Sequence, residues 1–167
     1  ITHTHIISKK HNFVATCLEE YRKKVIDRYS TKRVGCSVEA CKSFFLDSTR
    51  TTVINNIYDN SKFNPKLYKC PVDDRLQVLQ VGSFCATKNQ LFSIEVLHKI
   101  REQIKNVKFS FVGFDIDGYE KIIKDKIKLL NLEEHVTFYP CDADIPRLLT
   151  KSTAFIFPSL HEGFGIA

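Results

Sequence analysis

The sequence predicts an α/β fold made of two parallel-sheet pieces joined by a linker. Three observations predict it. Short β-branched segments alternate with longer, charged segments of helical period; the spacing between successive strand-like segments leaves room for a helix each time; and a stretch rich in Asn, Asp and Pro, without helical period, divides the chain. Strands connected through helices pair in parallel with right-handed crossovers, and the second piece reads as part of a doubly wound sheet. In such sheets ligands gather at the carboxyl ends of the strands, so the residues that follow each strand carry the chemistry.

Taken in order, Ile1–Ile7 is β-branched and reads as a strand, and Phe13–Tyr29, rich in Glu, Lys and Arg, reads as a helix. A short strand is expected over Arg33–Cys36. Ser37 then suits an N-cap for a helix through Leu46, because its hydroxyl can take one of the unpaired backbone N–H groups, and Glu39 suits the dipole of the first turn. Thr51–Asn55 is another β-branched strand, and Asn55–Asp74 is the linker. Beyond it, Leu76–Val81 is an apolar strand closed by Gly82. Gln90–Lys105 carries Ile94, Leu97, Ile100 and Ile104 at steps of three and four, which is one face of a helix. Val107–Gly113 predicts a strand, Tyr119–Leu130 a helix and His135–Tyr139 a strand. Asp142–Lys151 predicts a short helix with Pro146 near its start, where a missing N–H matters little, and Ala154–Phe157 predicts a buried strand.

Composition narrows the classes. With 167 residues, 43% hydrophobic and 26% charged, the chain is globular rather than disordered. No apolar run approaches the roughly 20 residues of a membrane-spanning helix, and no basic segment leading into an apolar one opens the chain as a secretory signal would. No Met occurs, even at position 1, so the sequence reads as a segment of a longer protein. The 6 cysteines show neither the paired spacing of a zinc site nor a disulfide framework, and are expected as buried reduced thiols in a reducing compartment. The balance of 25 Lys+Arg over 19 Asp+Glu gives +6, which reads first as a solvated face, with an anionic substrate or an acidic membrane surface as the alternative.

Two strand ends carry the signal. After Val81 stand Gly82, Ser83, Phe84, Cys85, Ala86, Thr87, Lys88 and Asn89, before a helix start. A tight glycine turn, a lysine and free helix N–H groups attract phosphate, although the same pattern is an ordinary strand-to-helix turn with an exposed Lys. After Phe157 stand Pro158, Ser159, Leu160, His161, Glu162, Gly163, Phe164, Gly165, Ile166 and Ala167. Glycines on both sides of Phe164 let the main chain approach a ligand and offer N–H groups as an anion nest. Glu162 can accept hydrogen bonds from sugar hydroxyls, or stand solvated on a Gly-rich loop. His161 reads as a surface or packed residue.

Five segments occur in a telling order: V-G-S-F-x-x-x-K-N-Q (Val81–Gln90), V-G-F (Val112–Phe114), V-T-F-Y-P (Val136–Pro140), D-I-P-R-L-L (Asp144–Leu149) and F-P-S-L-H-E-G-F-G-I (Phe157–Ile166). Together they resemble the carboxy-terminal, donor-binding domain of retaining GT-B glycosyltransferases of family 4 (group 1), of the capsular or exopolysaccharide type. Upstream, R-V-G-C-S (Arg33–Ser37), T-V-I-N-N (Thr52–Asn56) and D-N-S-K-F (Asp59–Phe63) resemble the last strands of the amino-terminal domain and the interdomain linker, and I-T-H-T-H (Ile1–His5) an earlier strand end. The resemblance implies two Rossmann-like parallel-sheet domains, both incomplete here: residues 1–58 from the acceptor-side domain, 59–75 as linker and 76–167 from the nucleotide-sugar domain.

The resemblance also implies roles. Lys88 contacts the donor diphosphate beside Gly82 and Ser83, Glu162 holds the transferred sugar as first acid of the family's glutamate pair, and the backbone of Gly163, Phe164 and Gly165 lines sugar and phosphate. Asp144 and Ile145 cradle the base, and His3 or His5 faces the sugar. Ser83 stands where relatives usually carry Arg, and loss of such a charge-assisted contact costs about 1.5–3 kcal/mol. Pro140 replaces a customary Gly, and the second glutamate would fall beyond Ala167. The implied activity is transfer of a sugar from a nucleotide diphosphate sugar to a glycan or lipid-linked acceptor, with no metal and no cofactor, in the cytoplasm or on the cytoplasmic face of an anionic membrane. Nucleic acid is not an expected partner. The segment alone, lacking most of one wall, is expected to be inactive. The alternative is a degenerate or truncated module that binds a nucleotide sugar or a protein without catalysis. A nicotinamide-binding reading lacks G-x-G-x-x-G.

Overall fold

The computed structural model describes residues 13–69 and 75–160. The chain divides after Ile57 into two compact units. The strand expected at Ile1–Ile7 lies outside the described residues.

In the first unit, α1 (Phe13–Tyr29), β1 (Arg33–Gly35), α2 (Val38–Phe44) and β2 (Thr51–Val53) follow one another. β1 and β2 pair in parallel, Arg33 opposite Thr51. Ser37 caps α2 as expected, its Oγ accepting from the Ala40 N–H at 3.0 Å. The helix stops at Phe44, short of the expected Leu46, because the Asp27 carboxylate takes over the next backbone donors. Its Oδ2 accepts from the N–H groups of Leu46 and Asp47 at 3.2 and 3.3 Å. Arg33 holds that carboxylate in place, with Nε 3.3 Å from Asp27 Oδ1 and Nη2 donating to the Asp27 carbonyl at 2.6 Å. Both strands are shorter than the sequence suggested, since each has only the other as hydrogen-bonded neighbour among the described residues.

The second unit runs β3 (Leu76–Val81), α3 (Gln90–Gln103), β4 (Val107–Val112), α4 (Tyr119–Leu129), β5 (Val136–Tyr139), α5 (Ile145–Lys151) and β6 (Ala154–Phe155). All four strands are parallel in the order β5-β4-β3-β6, the α/β architecture that the alternating segments predict. β3 and β4 are central and buried on both faces, with Val78, Leu79, Val107, Phe109, Phe111 and Val112 in the core. From α3 come Ile94 and Leu97, and from α4 Ile123 and Ile127, at the three- and four-residue steps that put them on one face.

Three expectations are corrected. Ile104 does not continue the buried face of α3: it is the C-cap, with φ −117°, and is 44% exposed. α5 begins at Ile145 rather than Asp142, because Asp144 is its N-cap and Asp142–Ala143 belong to the turn before it. β6 is not buried. It pairs only with β3 among the described residues, and both its side chains are exposed, as befits a short edge strand. The cysteines depart from expectation as well. Among the described ones all are free thiols, but only Cys41 is buried, while Cys17 on α1 and Cys141 after β5 are exposed.

Candidate functional site

All four strands of the second unit point their carboxyl ends to one edge of the sheet. At that edge the turns after β3 and β4 lie in direct backbone contact. Gly82 has φ +149°, a conformation that side chains resist, and its N–H donates to the Val112 carbonyl at 2.9 Å. A methyl group at Gly113 would run into the Gly82 carbonyl, so this approach needs glycine at 113. Past it the loops stay paired, Phe84 N–H donating to the Phe114 carbonyl at 2.8 Å and Ile116 N–H to the Phe84 carbonyl at 3.2 Å. Phe84 itself is buried, edge-on to Phe138 with ring centroids 5.6 Å apart.

A 3-10 turn (Ala86–Lys88) leads to Asn89, whose left-handed φ of 55° aims the chain into α3. This turn brings the Lys88 side chain back over Gly82, its methylene carbons lying at van der Waals distance from where a side chain at 82 would begin. The ammonium sits 5.2 Å from the centroid of the Phe157 ring, a cation–π distance. The segment after β6 is tied to the same turn. Leu160 N–H donates to the Thr87 carbonyl at 2.8 Å, and Asn89 Nδ2 to the Pro158 carbonyl at 3.3 Å. Lys88 is thus held where β3 and β6 end, and a cation fixed beside a glycine turn is suited to an anionic ligand.

Beneath the turn lies a buried polar group that sequence reasoning did not single out as functional. Gln80, Gln90 and Ser93 are each at most 2% exposed. Ser93 Oγ donates to Gln80 Oε1 at 2.7 Å, Gln80 Nε2 to the Lys88 carbonyl at 2.8 Å, and Gln90 Nε2 to the Ser83 carbonyl at 2.9 Å. The available signal was Gln80 itself, an amide inside an otherwise apolar strand end, L-Q-V.

Of the site residues expected from sequence, the structure brings Gly82, Ser83 and Lys88 together. Asp144 and Ile145 follow β5, the strand two places from β3 in the sheet, and open α5. Asp144 is engaged as a helix cap, its Oδ1 accepting from the Arg147 N–H at 3.0 Å. Glu162, Gly163, Phe164, Gly165, His3 and His5 lie outside the described residues. Tyr119, at the start of α4, has its phenol pushed above its ordinary range by burial, with the Cys85 thiol as a second cause. No cluster of metal-ligating side chains occurs among the described residues. A cavity of about 370 Å³ elsewhere in this unit, lined by Phe63, Tyr68, Pro146 and Leu149 among others, offers no ionisable group but the Tyr68 phenol.

The profile of the family described as "Glycosyl transferases group 1" matches residues 69–167, which spans this whole edge. The chain belongs to that family. Among curated relatives of this group 1 glycosyltransferase chain, the UDP-Gal:alpha-D-GlcNAc-diphosphoundecaprenol alpha-1,3-galactosyltransferase of Escherichia coli is 29% identical over 140 residues, which is 77% of this chain and 36% of that protein. An uncharacterized glycosyltransferase of Methanocaldococcus jannaschii is 26% identical over 122 residues, 68% of this chain and 29% of that protein. Among solved structures, Anabaena HepE in complex with UDP and glucose superposes with a TM-score of 0.73 at 20% identity, covering 89% of this chain and 43% of its own. WaaG, a glycosyltransferase involved in lipopolysaccharide biosynthesis, superposes with a TM-score of 0.68 at 18% identity, covering 98% and 49%. These likenesses establish the GT-B glycosyltransferase fold. The chain spans less than half the length of each of these relatives.

Proposed function

We propose that the protein is a retaining glycosyltransferase of family 4 that moves a sugar from a nucleotide diphosphate sugar to a hydroxyl of a glycan or lipid-linked acceptor in polysaccharide biosynthesis. The observation that carries this reading is the Lys88 side chain, whose methylenes lie over Gly82 and whose ammonium lies against the Phe157 ring, where two parallel strands end. Support comes from HepE, solved in complex with UDP and glucose, and from the Escherichia coli relative, named for transfer of galactose from UDP-Gal to the GlcNAc of alpha-D-GlcNAc-diphosphoundecaprenol.

The chemical demand in such a transfer is a departing diphosphate that gains negative charge as the sugar–oxygen bond breaks. A preorganised ammonium and backbone N–H groups meet that charge without reorganisation, and protein cations of this kind remove the need for a metal ion. In this proposal Lys88 carries the charge, Gly82 and Ser83 allow the phosphates to approach, and Asp144 with Ile145 borders the base. The sugar-facing roles of Glu162, the Gly163–Gly165 backbone and His3 or His5 belong to the same proposal. So does a location on the cytoplasmic side, where the donors are made.

The test is calorimetric titration of the full-length protein with UDP-, GDP- and ADP-hexoses, followed by NMR of the anomeric proton of any product. Binding of one donor class, and a product with the donor's configuration, are expected. Failure to bind any of the three overturns the reading. Ser83, where the resemblance implies that relatives usually carry Arg, favours a second reading, a binding module without turnover. Tight binding of donor with no transfer to any acceptor and no hydrolysis would select it.

A further inference from the structure

From Ser83 to Lys88 six consecutive backbone carbonyls each accept a hydrogen bond from the protein. Their donors are in turn Gln90 Nε2, Ile116 N–H, Lys88 N–H, Asn89 N–H, Leu160 N–H and Gln80 Nε2, at 2.8–3.2 Å. Two of the six donors are side-chain amides, and they serve the first and the last carbonyl of the run. Both glutamines are buried, so neither can turn to water instead. The orientation of Gln80 is fixed by Ser93, whose hydroxyl donates to Oε1 and so leaves Nε2 facing the Lys88 carbonyl. Gln90 is fixed by repulsion, because a flipped amide would set its oxygen against the Ser83 carbonyl. In the orientation adopted, Gln90 Oε1 is buried with no hydrogen-bond partner, so the bond to the Ser83 carbonyl is kept at a cost.

A carbonyl oxygen carries partial negative charge and opposes an anion. The same loop with two carbonyls swung outward would present acceptors where phosphate oxygens are to sit. We propose that Gln80, Gln90 and Ser93 are positioning residues of the donor site, which hold the Ser83 and Lys88 carbonyls inward so that these two oxygens do not face a nucleoside diphosphate bound beside the ammonium. This rests on the donor reading given above and adds to it which residues prepare the loop. None of the three needs to touch the ligand. Their action runs through the backbone to which Lys88 is attached, and it bears on phosphate alone, not on the base or the ribose.

Calorimetry on the full-length protein tests this with UDP as the probe and uridine, by competition, as its phosphate-free counterpart. Gln80→Met keeps the length and apolar volume but loses the donor to the Lys88 carbonyl. It is expected to weaken UDP about tenfold while leaving uridine within about twofold. Ser93→Ala, a smaller change that removes the hydrogen bond anchoring Gln80 Oε1 and so loosens its hold on the Lys88 carbonyl, is expected to weaken UDP about threefold with uridine again unmoved, and serves if the first variant does not fold. UDP affinity retained within twofold in Ser93→Ala and in folded Gln80→Met overturns the inference. So does an equal loss for UDP and uridine, the mark of general loosening. A wild-type protein that binds no UDP, GDP or ADP fails at an earlier point and overturns the donor reading together with its frame.

Discussion

Lys88→Ala is expected to weaken UDP binding to the full-length protein by about ten- to a hundredfold, the range for a charge-assisted contact, without lowering its melting temperature. A loss of stability instead, with UDP affinity kept, would make the lysine a packing element over Phe157. Gly113→Ala is expected to do the reverse of the first result. Its methyl would meet backbone, the Gly82 carbonyl, rather than a yielding side chain, so a loss of about 1–3 kcal/mol in urea unfolding is expected, and an unchanged midpoint would show that the turns can part. Tyr119 gives a pH signature. Its raised phenol keeps its proton in the folded state at a pH where the unfolded chain has lost it. That contribution is whole below the ordinary tyrosine range near pH 10 and fades as pH climbs past it, so Tyr119→Phe should flatten the alkaline fall in stability. An identical slope in the variant would refute this.

Short helices with side-chain caps are the elements most open to test. Asp144→Ala removes the carboxylate that takes the Arg147 N–H and is expected to cost about 1 kcal/mol, while Asp144→Asn, another good cap, is expected to cost little. If Asp144 also borders the base, both variants will shift UDP affinity; if it only caps α5, neither will. The elements also show what could be read in advance. Ser37 announced its helix because a cap is a local device, settled by a hydroxyl and an N–H three residues on. The end of α2 was illegible, since it depends on Asp27, nineteen residues away from Leu46. The step pattern of α3 showed Ile94 and Leu97 correctly but not that Ile104 turns outward at the cap. At the candidate site, Gly82, Ser83 and Lys88 were legible as neighbours in one loop. Gln80 and Ser93 were not, because their partnership crosses from strand to helix.

Among the described residues the buried apolar side chains are unevenly shared: those of the first unit reduce to Cys41, whereas the second unit holds Val78, Leu79, Phe109, Phe111, Ile123 and their neighbours. Opening free energy follows such density, so in hydrogen exchange on the 167-residue chain the amides of β3 and β4 are expected to be the slowest and those of α1 among the fastest. Comparable protection in α1 and β4 would contradict this. The contact between Gly82 and Gly113 has a mechanical consequence at this scale. Two turns that lie flush, with no side chain between them to act as a cushion, form one stiff lip along the sheet. A guest that leans on the lysine side loads the neighbouring turn at once, and a reporter group at the half-exposed Phe114 should register its arrival from a strand away.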